Sequence, residues 1–359
     1  MKTLSKKALL ELPVVIAGTG GAAWWILEGF TREKIDVKAF IVSNPKYEAE
    51  DTCVGLPVWK YETWERLPLK QTDYLVVMGV MNPKVDVEAM KSELVDSGWK
   101  TIMDFDEYAK LLLAVKSVNI CMLDPRDFGK RNEEISKLRS QLSDSKSVAT
   151  LDGFAHFIES LDEIEFPEIS ETPYFPKDIP GWQKELKFID CGAYDGDTVK
   201  QAMDSGYLIK QAFCFEPDPI SFRKLKLNLM ELTNVFCLPL GVSDSTAILS
   251  FSSQQSTGSR LLDQGDSWIQ CVAIDDFMAG SDINLIKMDI EGGELSALKG
   301  ATKLLKRYRP NLAISVYHKT NDIWQIPSFI IETLGSCQLY LRRHSRAIAD
   351  TVLYVFPDR

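Results

Sequence analysis

One short stretch, FIDCGAYDGDT at residues 188–198, constrains the fold of this chain more than any other. It begins where an apolar run ends, which predicts a buried parallel strand with Asp190 at its carboxyl end. Gly192 and Gly196 then allow a tight turn and a close approach of the backbone to a ligand. A helix is predicted to begin at Asp197, because small polar side chains cap free N–H groups. Strand, glycine turn and helix are together typical of the nucleotide-binding half of a doubly wound α/β sheet.

The glycine spacing and the nearby charges indicate the class of ligand. A dinucleotide site has glycines spaced G-x-G-x-x-G, whereas the spacing here is G-x-x-x-G, and Asp195 and Asp197 would repel a pyrophosphate. These carboxylates suit a ligand with an ammonium, a sulfonium and no phosphate, namely S-adenosylmethionine. The second strand, residues 212–215, ends at Glu216 and Pro217, where an acid can accept hydrogen bonds from both ribose hydroxyls. The alternative is that Glu216 is a surface acid at a strand end.

Composition describes an ordinary globular protein. A length of 359 residues favours two domains, with 45% hydrophobic and 26% charged residues. The net charge of −10 argues against a nucleic-acid partner, because such proteins present a basic surface. None of the seven cysteines forms a C-x-x-C pair, and their odd number favours a reducing compartment. We therefore predict a cytoplasmic protein without zinc.

The first 27 residues imitate a secretory signal, because lysines precede a long uncharged stretch. Glu11 and Pro13 interrupt the beginning of this stretch, and the glycine turn at residues 18–21 breaks its middle. A strand followed by a glycine turn explains the pattern better. Since the chain has no run of 18 apolar residues without such breaks, we predict no membrane span.

Alternating strands and helices predict a Rossmann-like domain over residues 1–115. Its turn matches G-x-G-x-x-A through Gly18, Gly20 and Ala23, so a dinucleotide has to be considered. The second strand, however, runs into Asn44 and offers no carboxylate for the ribose of NAD. A purely structural domain without a phosphate ligand is the alternative.

The turn and a later G-x-P-V segment at residues 55–58 resemble the N-terminal Rossmann-like domain of bacterial sugar N-acyltransferases that modify UDP-linked sugars. This resemblance implies a site for a nucleotide diphosphate-sugar.

Residues 116–180 lack the strand pattern, so we predict a helical linker region there, which ends in a proline-rich connection. A second domain then occupies residues 181–359.

Polar residues also follow the later strands of the second domain. A third strand ends in the loop of Ser243 and Asp244, on the adenine side of such a fold. A fourth strand ends at Asp289, and a fifth ends at His318. The carboxyl ends of adjacent parallel strands converge on one crevice. The residues expected to surround this crevice are Asp190, Glu216, Asp289 and His318.

Seven segments of the second domain resemble the FkbM-type methyltransferases, which act mostly on hydroxyls of sugars and polyketide-derived natural products. In order, they are FIDCGAYDGDT, FCFEP, VAIDDF, IKMDIEGGE, SVYHK, YLRRHS and TVLYV. The resemblance implies O-methyl transfer and, in the C-terminal of the two predicted Rossmann-like α/β domains, a class I S-adenosylmethionine methyltransferase sheet. The expected cofactor contacts are Asp190, Gly192, Tyr194, Gly196, Asp197, Thr198, Glu216, Pro217, Ser243, Asp244 and Asp289.

A methyl transfer to a sugar hydroxyl needs a base and good positioning, because the hydroxyl is a weak nucleophile while it keeps its proton. His318 and Asp289 are placed to accept that proton. His318 is the preferred base, since the unperturbed pKa of histidine lies near neutrality. The alternative is that His318 is a hydrogen-bonded residue at the rim.

A metal ion offers a second way to activate the acceptor. Asp289, Glu291 and Glu294 could hold Mg²⁺ together with His318, and Asp289 and Glu291 are the predicted ligands. The ion would lower the pKa of the acceptor hydroxyl. The alternative is that Glu291 and Glu294 stabilise the beginning of a helix, where acids are favoured.

The expected acceptor is a sugar or nucleotide-linked sugar in surface polysaccharide or natural-product biosynthesis. Its predicted contacts are Glu291, Tyr317, Arg343 and His344. Arg342, Arg343 and His344 could clamp a phosphate, and a solvated edge is the alternative. Two other functions stay open: a protein that binds S-adenosylmethionine and a nucleotide sugar without catalysis, and an NAD-dependent sugar-modifying enzyme. Whether the chain forms a homo-oligomer is also left open.

Overall fold

The computed structural model of the 359-residue chain divides into two compact units. The first comprises residues 1–124 and 160–162, and the second comprises residues 125–159 and 163–359. Asn44 lies outside the described residues. No helix in the described part is long and apolar enough to span a membrane. The structure describes residues 12–32, 34–43, 52–53, 55–61, 70–80, 85–105, 107–108, 132–160, 166–252, 260–261, 267–278, 280–345 and 348–358.

The first unit is built on a six-stranded sheet with the order β3-β4-β2-β1-β5-β6. All neighbouring strands are parallel except β3 and β4. The strand order reverses between β1 and β5, and the glycine turn follows β1 at this point. The elements are β1 Val14–Ala17, α1 Gly21–Arg32, β2 Val37–Val42, β3 Thr52–Cys53, β4 Leu56–Lys60, β5 Leu75–Met78, α2 Val87–Asp96 and β6 Thr101–Met103.

The second unit contains the longer sheet and most of the helices. Its helices are α3 Asn132–Gln141, α4 Ser145–Ser160, α5 Asp197–Asp204, α6 Pro219–Asn228, α7 Ile274–Phe277, α8 Glu294–Lys299, α9 Thr302–Tyr308 and α10 Asp322–Leu334. Its strands are β7 Glu185–Cys191, β8 Leu208–Phe215, β9 Val235–Leu238, β10 Gly241–Ser243, β11 Ala247–Ser252, β12 Arg260–Leu261, β13 Ser267–Ala273, β14 Leu285–Met288, β15 Asn311–Ser315, β16 Cys337–Arg343 and β17 Thr351–Pro357.

The seven-stranded sheet of the second unit has the order β16-β17-β15-β14-β7-β8-β9. Strands β7, β8, β9, β14 and β15 are parallel, and β17 runs antiparallel to both of its neighbours. The strand order reverses between β7 and β14, so a crevice opens at their carboxyl ends. A smaller sheet with the order β10-β13-β11-β12 follows β9 in the chain.

Helices α3 and α4 lie in the stretch predicted to be a linker. Their connection and the first turn of α4 are hydrogen-bonded to β16. The hydroxyls of Ser143 and Ser147 accept the backbone N–H groups of Leu339 and Leu341. The charged and polar sequence around α3 predicts a solvated helix, but Leu138 on α3 is buried, as are Ser147 and Thr150 near the start of α4. Both helices belong to the second unit.

Candidate active site

The glycine turn after β7 has room for no larger residue at its first position. Gly192 has a φ of 74°, and a Cβ built on it would lie 2.0 Å from the backbone oxygen of Asp289. Gly196 has a φ of 88°, and a Cβ there would lie 2.8 Å from the Leu229 side chain. The turn therefore brings the backbone of β7 directly against the end of β14.

Asp190 and Lys287 form a buried ion pair beneath this turn. They are partners in the register of β7 and β14, and Lys287 Nζ lies 3.0 Å from Asp190 Oδ1. Burial raises the pKa of Asp190 to about 6, although the lysine charge opposes the shift. Burial alone would lower the pKa of Lys287, but the charge of Asp190 outweighs it and raises the pKa. Lys287 Nζ also donates to the Gly192 oxygen at 2.6 Å, so the pair supports the turn.

Glu216 is a buried acid rather than a surface acid at a strand end. Its two carboxylate oxygens accept the backbone N–H groups of Tyr194 and Asp218, each at 2.9 Å. Tyr194 adopts a left-handed φ of 46°. Burial raises the pKa of Glu216 to about 7, and the two N–H groups partly offset this shift. Pro217 is the next residue, and the Asp218 side chain then caps α6.

The polar residues at the start of α5 differ from the sequence prediction. Gly196 is the N-cap of α5, so no side chain caps the helix from that position. Asp197 is exposed, and its Oδ1 accepts the N–H of Thr198 at 2.8 Å, while the Thr198 side chain is buried. Helix α5 thus begins at Asp197 as predicted, but its N-cap is Gly196, which has no side chain to cap with and whose left-handed φ the turn requires.

Strand β10 ends at a buried polar residue, and an exposed one follows it. Ser243 is buried, and its Oγ lies 3.3 Å from the Ser296 Oγ at the start of α8. Asp244 is exposed and accepts a hydrogen bond from the Ser245 hydroxyl.

Three carboxylates surround the imidazole of His318. Its Nδ1 lies 2.8 Å from Glu294 Oε1, and its Nε2 lies 3.4 Å from Asp289 Oδ1 and 3.6 Å from Glu291 Oε2. The His318 side chain is only 1% exposed, whereas those of Asp289 and Glu291 are 26% and 21% exposed. The convergence of Asp289 and His318 at neighbouring strand ends follows from the parallel pairing of β14 and β15.

The protonation of this cluster argues against His318 as the base. Burial would lower the pKa of His318, but the charges of Glu294, Glu291 and Asp289 raise it to about 10. Burial would raise the pKa of Asp289, but the His318 and Lys287 charges and a Tyr174 hydrogen bond outweigh it and lower the pKa. At neutral pH, His318 is therefore a buried imidazolium behind two more accessible carboxylates.

Tyr174 contacts the cluster from the proline-rich connection before β7, and no pattern around it predicts this contact. Its hydroxyl donates to Asp289 Oδ2 at 2.7 Å. Tyr317 is buried, and its ring lies beside the His318 ring, tilted by 37° with 4.1 Å between the centroids.

A donor set for a metal ion exists, but it differs from the predicted one. One ligand atom each from Asp289, Glu294 and His318 lie within 4.8 Å of one another, and Glu291 is not in this set. Glu294 is fully buried, its Oε1 accepts the N–H of Ile290, and its Oε2 has no hydrogen-bond partner among the described residues.

Arg343 and His344 are engaged inside the protein. The Arg343 guanidinium lies 4.2 Å from the Phe166 ring centroid. His344 Nδ1 lies 2.8 Å from the Ser170 oxygen, and Nε2 lies 2.7 Å from the Tyr354 hydroxyl. Burial lowers the pKa of His344 to about 4, so its ring is neutral. The predicted phosphate clamp at these residues does not fit, because both ring nitrogens of His344 already have partners.

Comparisons with known proteins agree with this arrangement. A family model described as the methyltransferase FkbM domain matches residues 190–340. The hexuronic acid methyltransferase AglP of Haloferax volcanii is 30% identical over 134 residues, which cover 35% of this chain and 55% of the relative. The chain thus spans about half the length of this curated relative.

Among solved structures, methyltransferase FkbM from Methylobacillus flagellatus KT matches with a TM-score of 0.68 at 22% identity. The match covers 96% of this chain and 90% of that chain. At this identity it shows a shared fold, which confirms the predicted α/β class with a class I methyltransferase sheet.

Proposed function

We propose, from the match of residues 190–340 to the methyltransferase FkbM domain, that this chain is an S-adenosylmethionine-dependent O-methyltransferase acting on a sugar or nucleotide-linked sugar. The observation that carries this proposal is the group of acids at adjacent strand ends around a glycine turn. Asp190 and Glu216 lie at one side of the crevice, and Asp289 and Glu291 lie at the other.

The turn fits S-adenosylmethionine, which supplies an electrophilic methyl group on a sulfonium when bound. Glycine at position 192 allows the backbone of the turn to lie against the Asp289 carbonyl, so the two strand ends that would hold the cofactor stay close together. Each Glu216 oxygen accepts one backbone N–H and keeps a lone pair for a ribose hydroxyl. Asp190 acts indirectly, because it fixes Lys287 and through it the turn.

We propose that Asp289 is the base that accepts the proton of the acceptor hydroxyl. As the new carbon–oxygen bond forms, this proton becomes strongly acidic, so a carboxylate with a low pKa is basic enough to take it. Asp289 is accessible, whereas His318 is buried and cationic. His318 instead balances the charge of the carboxylates and holds them in place. Glu291, beside Asp289, is placed to orient the acceptor.

The acceptor class is supported by the relative that is named a hexuronic acid methyltransferase. A hexuronic acid offers hydroxyls and one carboxylate as methyl acceptors. The carboxylates of Asp289 and Glu291 would repel an acidic acceptor group, so we expect transfer to a hydroxyl.

Incubation with methyl-labelled S-adenosylmethionine and a panel of neutral sugars, uronic acids and UDP-linked sugars tests the proposal. Labelled sugar whose methyl group survives mild alkali supports an ether and a hydroxyl acceptor. Label released by alkali would mean that a carboxylate is methylated. Binding of S-adenosylmethionine without transfer to any sugar of the panel would favour a non-catalytic binding protein.

A metal-assisted reaction is the second candidate, and the buried Glu294 oxygen without a hydrogen-bond partner favours it. Asp289, Glu294 and His318 would supply the ligands. A nitrogen ligand suits Mn²⁺ or a later transition metal better than Mg²⁺. Turnover that is unchanged by a chelator would exclude this route, and turnover restored only by added Mn²⁺ or Mg²⁺ would support it.

We propose that the first unit binds a nucleotide diphosphate-sugar and that the protein is cytoplasmic. The support for this binding is the glycine turn after β1, at the point where the strand order reverses. Calorimetric titration of the full chain with UDP-sugars and with NAD tests this assignment. Binding of NAD alone would favour the NAD-dependent alternative for this unit.

A further inference from the structure

Tyr174 is held in an unusual backbone conformation outside the region matched to the family. It precedes β7, and its φ of 61° is left-handed, a region that non-glycine residues rarely occupy. Its N–H donates to the Tyr354 hydroxyl at 3.0 Å, and its carbonyl oxygen accepts the Trp182 indole N–H at 2.9 Å. Tertiary contacts on both sides of the residue therefore impose this conformation, as is common for residues at functional sites.

The Tyr354 hydroxyl belongs to a hydrogen-bonded chain with only one proton arrangement. The Ser170 carbonyl can only accept, so His344 Nδ1 carries the proton that lies between them. The neutral ring then accepts from the Tyr354 hydroxyl at Nε2. This leaves the Tyr354 oxygen free to accept the N–H of Tyr174. This series of hydrogen bonds thus fixes the backbone of Tyr174 on the side away from Asp289.

The Tyr174 hydroxyl points the other way, toward the candidate base. It donates to Asp289 Oδ2 at 2.7 Å, while Asp289 Oδ1 faces His318 Nε2 at 3.4 Å. The carboxylate is therefore held at both oxygens by groups from two different segments. The Lys287 ammonium lies 5.1 Å from the Tyr174 ring centroid, which adds a cation–π contact on the same ring.

We propose that Tyr174 is a positioning residue for methyl transfer: its hydroxyl holds the Asp289 carboxylate in the orientation that receives the acceptor proton, and Tyr354 and His344 hold Tyr174 in place. This inference rests on the proposed function, because it gives Asp289 the role of base. It adds a residue from the connecting segment to the active site of the matched domain.

Tyr174→Phe tests the proposal, because it removes one oxygen and keeps the ring and both backbone hydrogen bonds. We expect kcat to fall about tenfold to a hundredfold, the size of effect that misplaced catalytic groups produce. Affinity for S-adenosylhomocysteine should stay at its wild-type value, and the melting temperature should fall by only a few degrees, about what the loss of one hydrogen bond produces. The control is Tyr207→Phe, whose ring packs against Phe175 with 5.4 Å between centroids, and which should leave kcat unchanged.

Tyr354→Phe tests whether the Tyr354 hydroxyl positions Tyr174, because the variant keeps the packing of the ring and removes only the hydroxyl. It removes the acceptor for the Tyr174 N–H, so kcat should fall with unchanged cofactor affinity. Because Tyr354 acts through Tyr174, the double variant should be no slower than Tyr174→Phe alone. Wild-type kcat in Tyr174→Phe would overturn this inference and leave the proposed function intact. Additive losses in the double variant would overturn the link between the two tyrosines. Absence of methyl transfer in the wild type would overturn the proposed function and the inference together.

Discussion

Lys287 Nζ and Asp190 Oδ1 lie 3.0 Å apart on neighbouring strands, and both side chains are shielded from solvent. The pair joins the strand that carries the glycine turn to the strand that carries Asp289. Lys287 also donates to the Gly192 oxygen, so one ammonium fixes the turn and the distance between the two halves of the crevice.

Removal of one partner of this pair should destabilise the protein strongly. Lys287→Met leaves the Asp190 carboxylate buried without its cation, which typically costs about 3–5 kcal/mol. The matched control is Lys187→Met, whose pair with Asp282 is largely exposed, and which should cost under about 1 kcal/mol. Urea unfolding of both variants measures the difference, and equal losses would contradict a special role for the buried pair.

Gly192→Ala should damage both folding and cofactor binding. Gly192 and Gly335 share a φ of 74°, but only Gly192 has a neighbour in the way, the Asp289 oxygen at 2.0 Å from an added Cβ. Gly335→Ala should therefore cost about 1–3 kcal/mol for its backbone conformation alone. Gly192→Ala should cost clearly more and abolish binding of S-adenosylhomocysteine. Similar unfolding curves for the two variants would show that the close approach at Gly192 carries no strain.

Cofactor affinity should depend on pH through Glu216. Its pKa is raised to about 7 by burial, and only the ionised carboxylate offers both oxygens to ribose hydroxyls. As pH falls through 7, protonation removes an acceptor, so the dissociation constant of S-adenosylhomocysteine should be about tenfold higher at pH 6 than at pH 8. Glu216→Gln should bind weakly at both values. A pH-independent affinity in the wild type would contradict this assignment.

The pH dependence of kcat should distinguish the two candidate bases. With saturating cofactor and a chelator present, Asp289 predicts a flat kcat between about pH 6 and pH 9, because its pKa is lowered and it stays ionised. If His318 were the base, its pKa of about 10 would make kcat rise about tenfold per pH unit across this range. Such a rise would return the role of base to His318.

Much of the site could be predicted because it depends on local patterns. Asp190, Glu216, Asp289 and His318 each follow an apolar strand, and parallel strands bring their carboxyl ends together. The role of His318 could not be predicted, because its burial and its charge depend on three carboxylates that meet only in the folded chain.

Other features depend on contacts between distant segments. The pairing of Lys287 with Asp190 requires the register of two strands that lie about a hundred residues apart. Tyr174 has a conformation that its neighbours in the chain do not favour, so only the bonds to Tyr354 and Trp182 reveal it. The charge of Arg343 suggested a ligand contact, but its packing against Phe166 is a property of the tertiary structure.

The central claim is that the crevice beside Asp190 and Glu216 binds S-adenosylmethionine. Calorimetric titration of the full chain with S-adenosylhomocysteine at pH 8 tests it most directly. We predict one site per chain with micromolar affinity, which Glu216→Gln weakens and Tyr207→Phe leaves unchanged. No heat of binding from a folded wild-type protein would contradict the claim, and the glycine turn would then be only a structural connection.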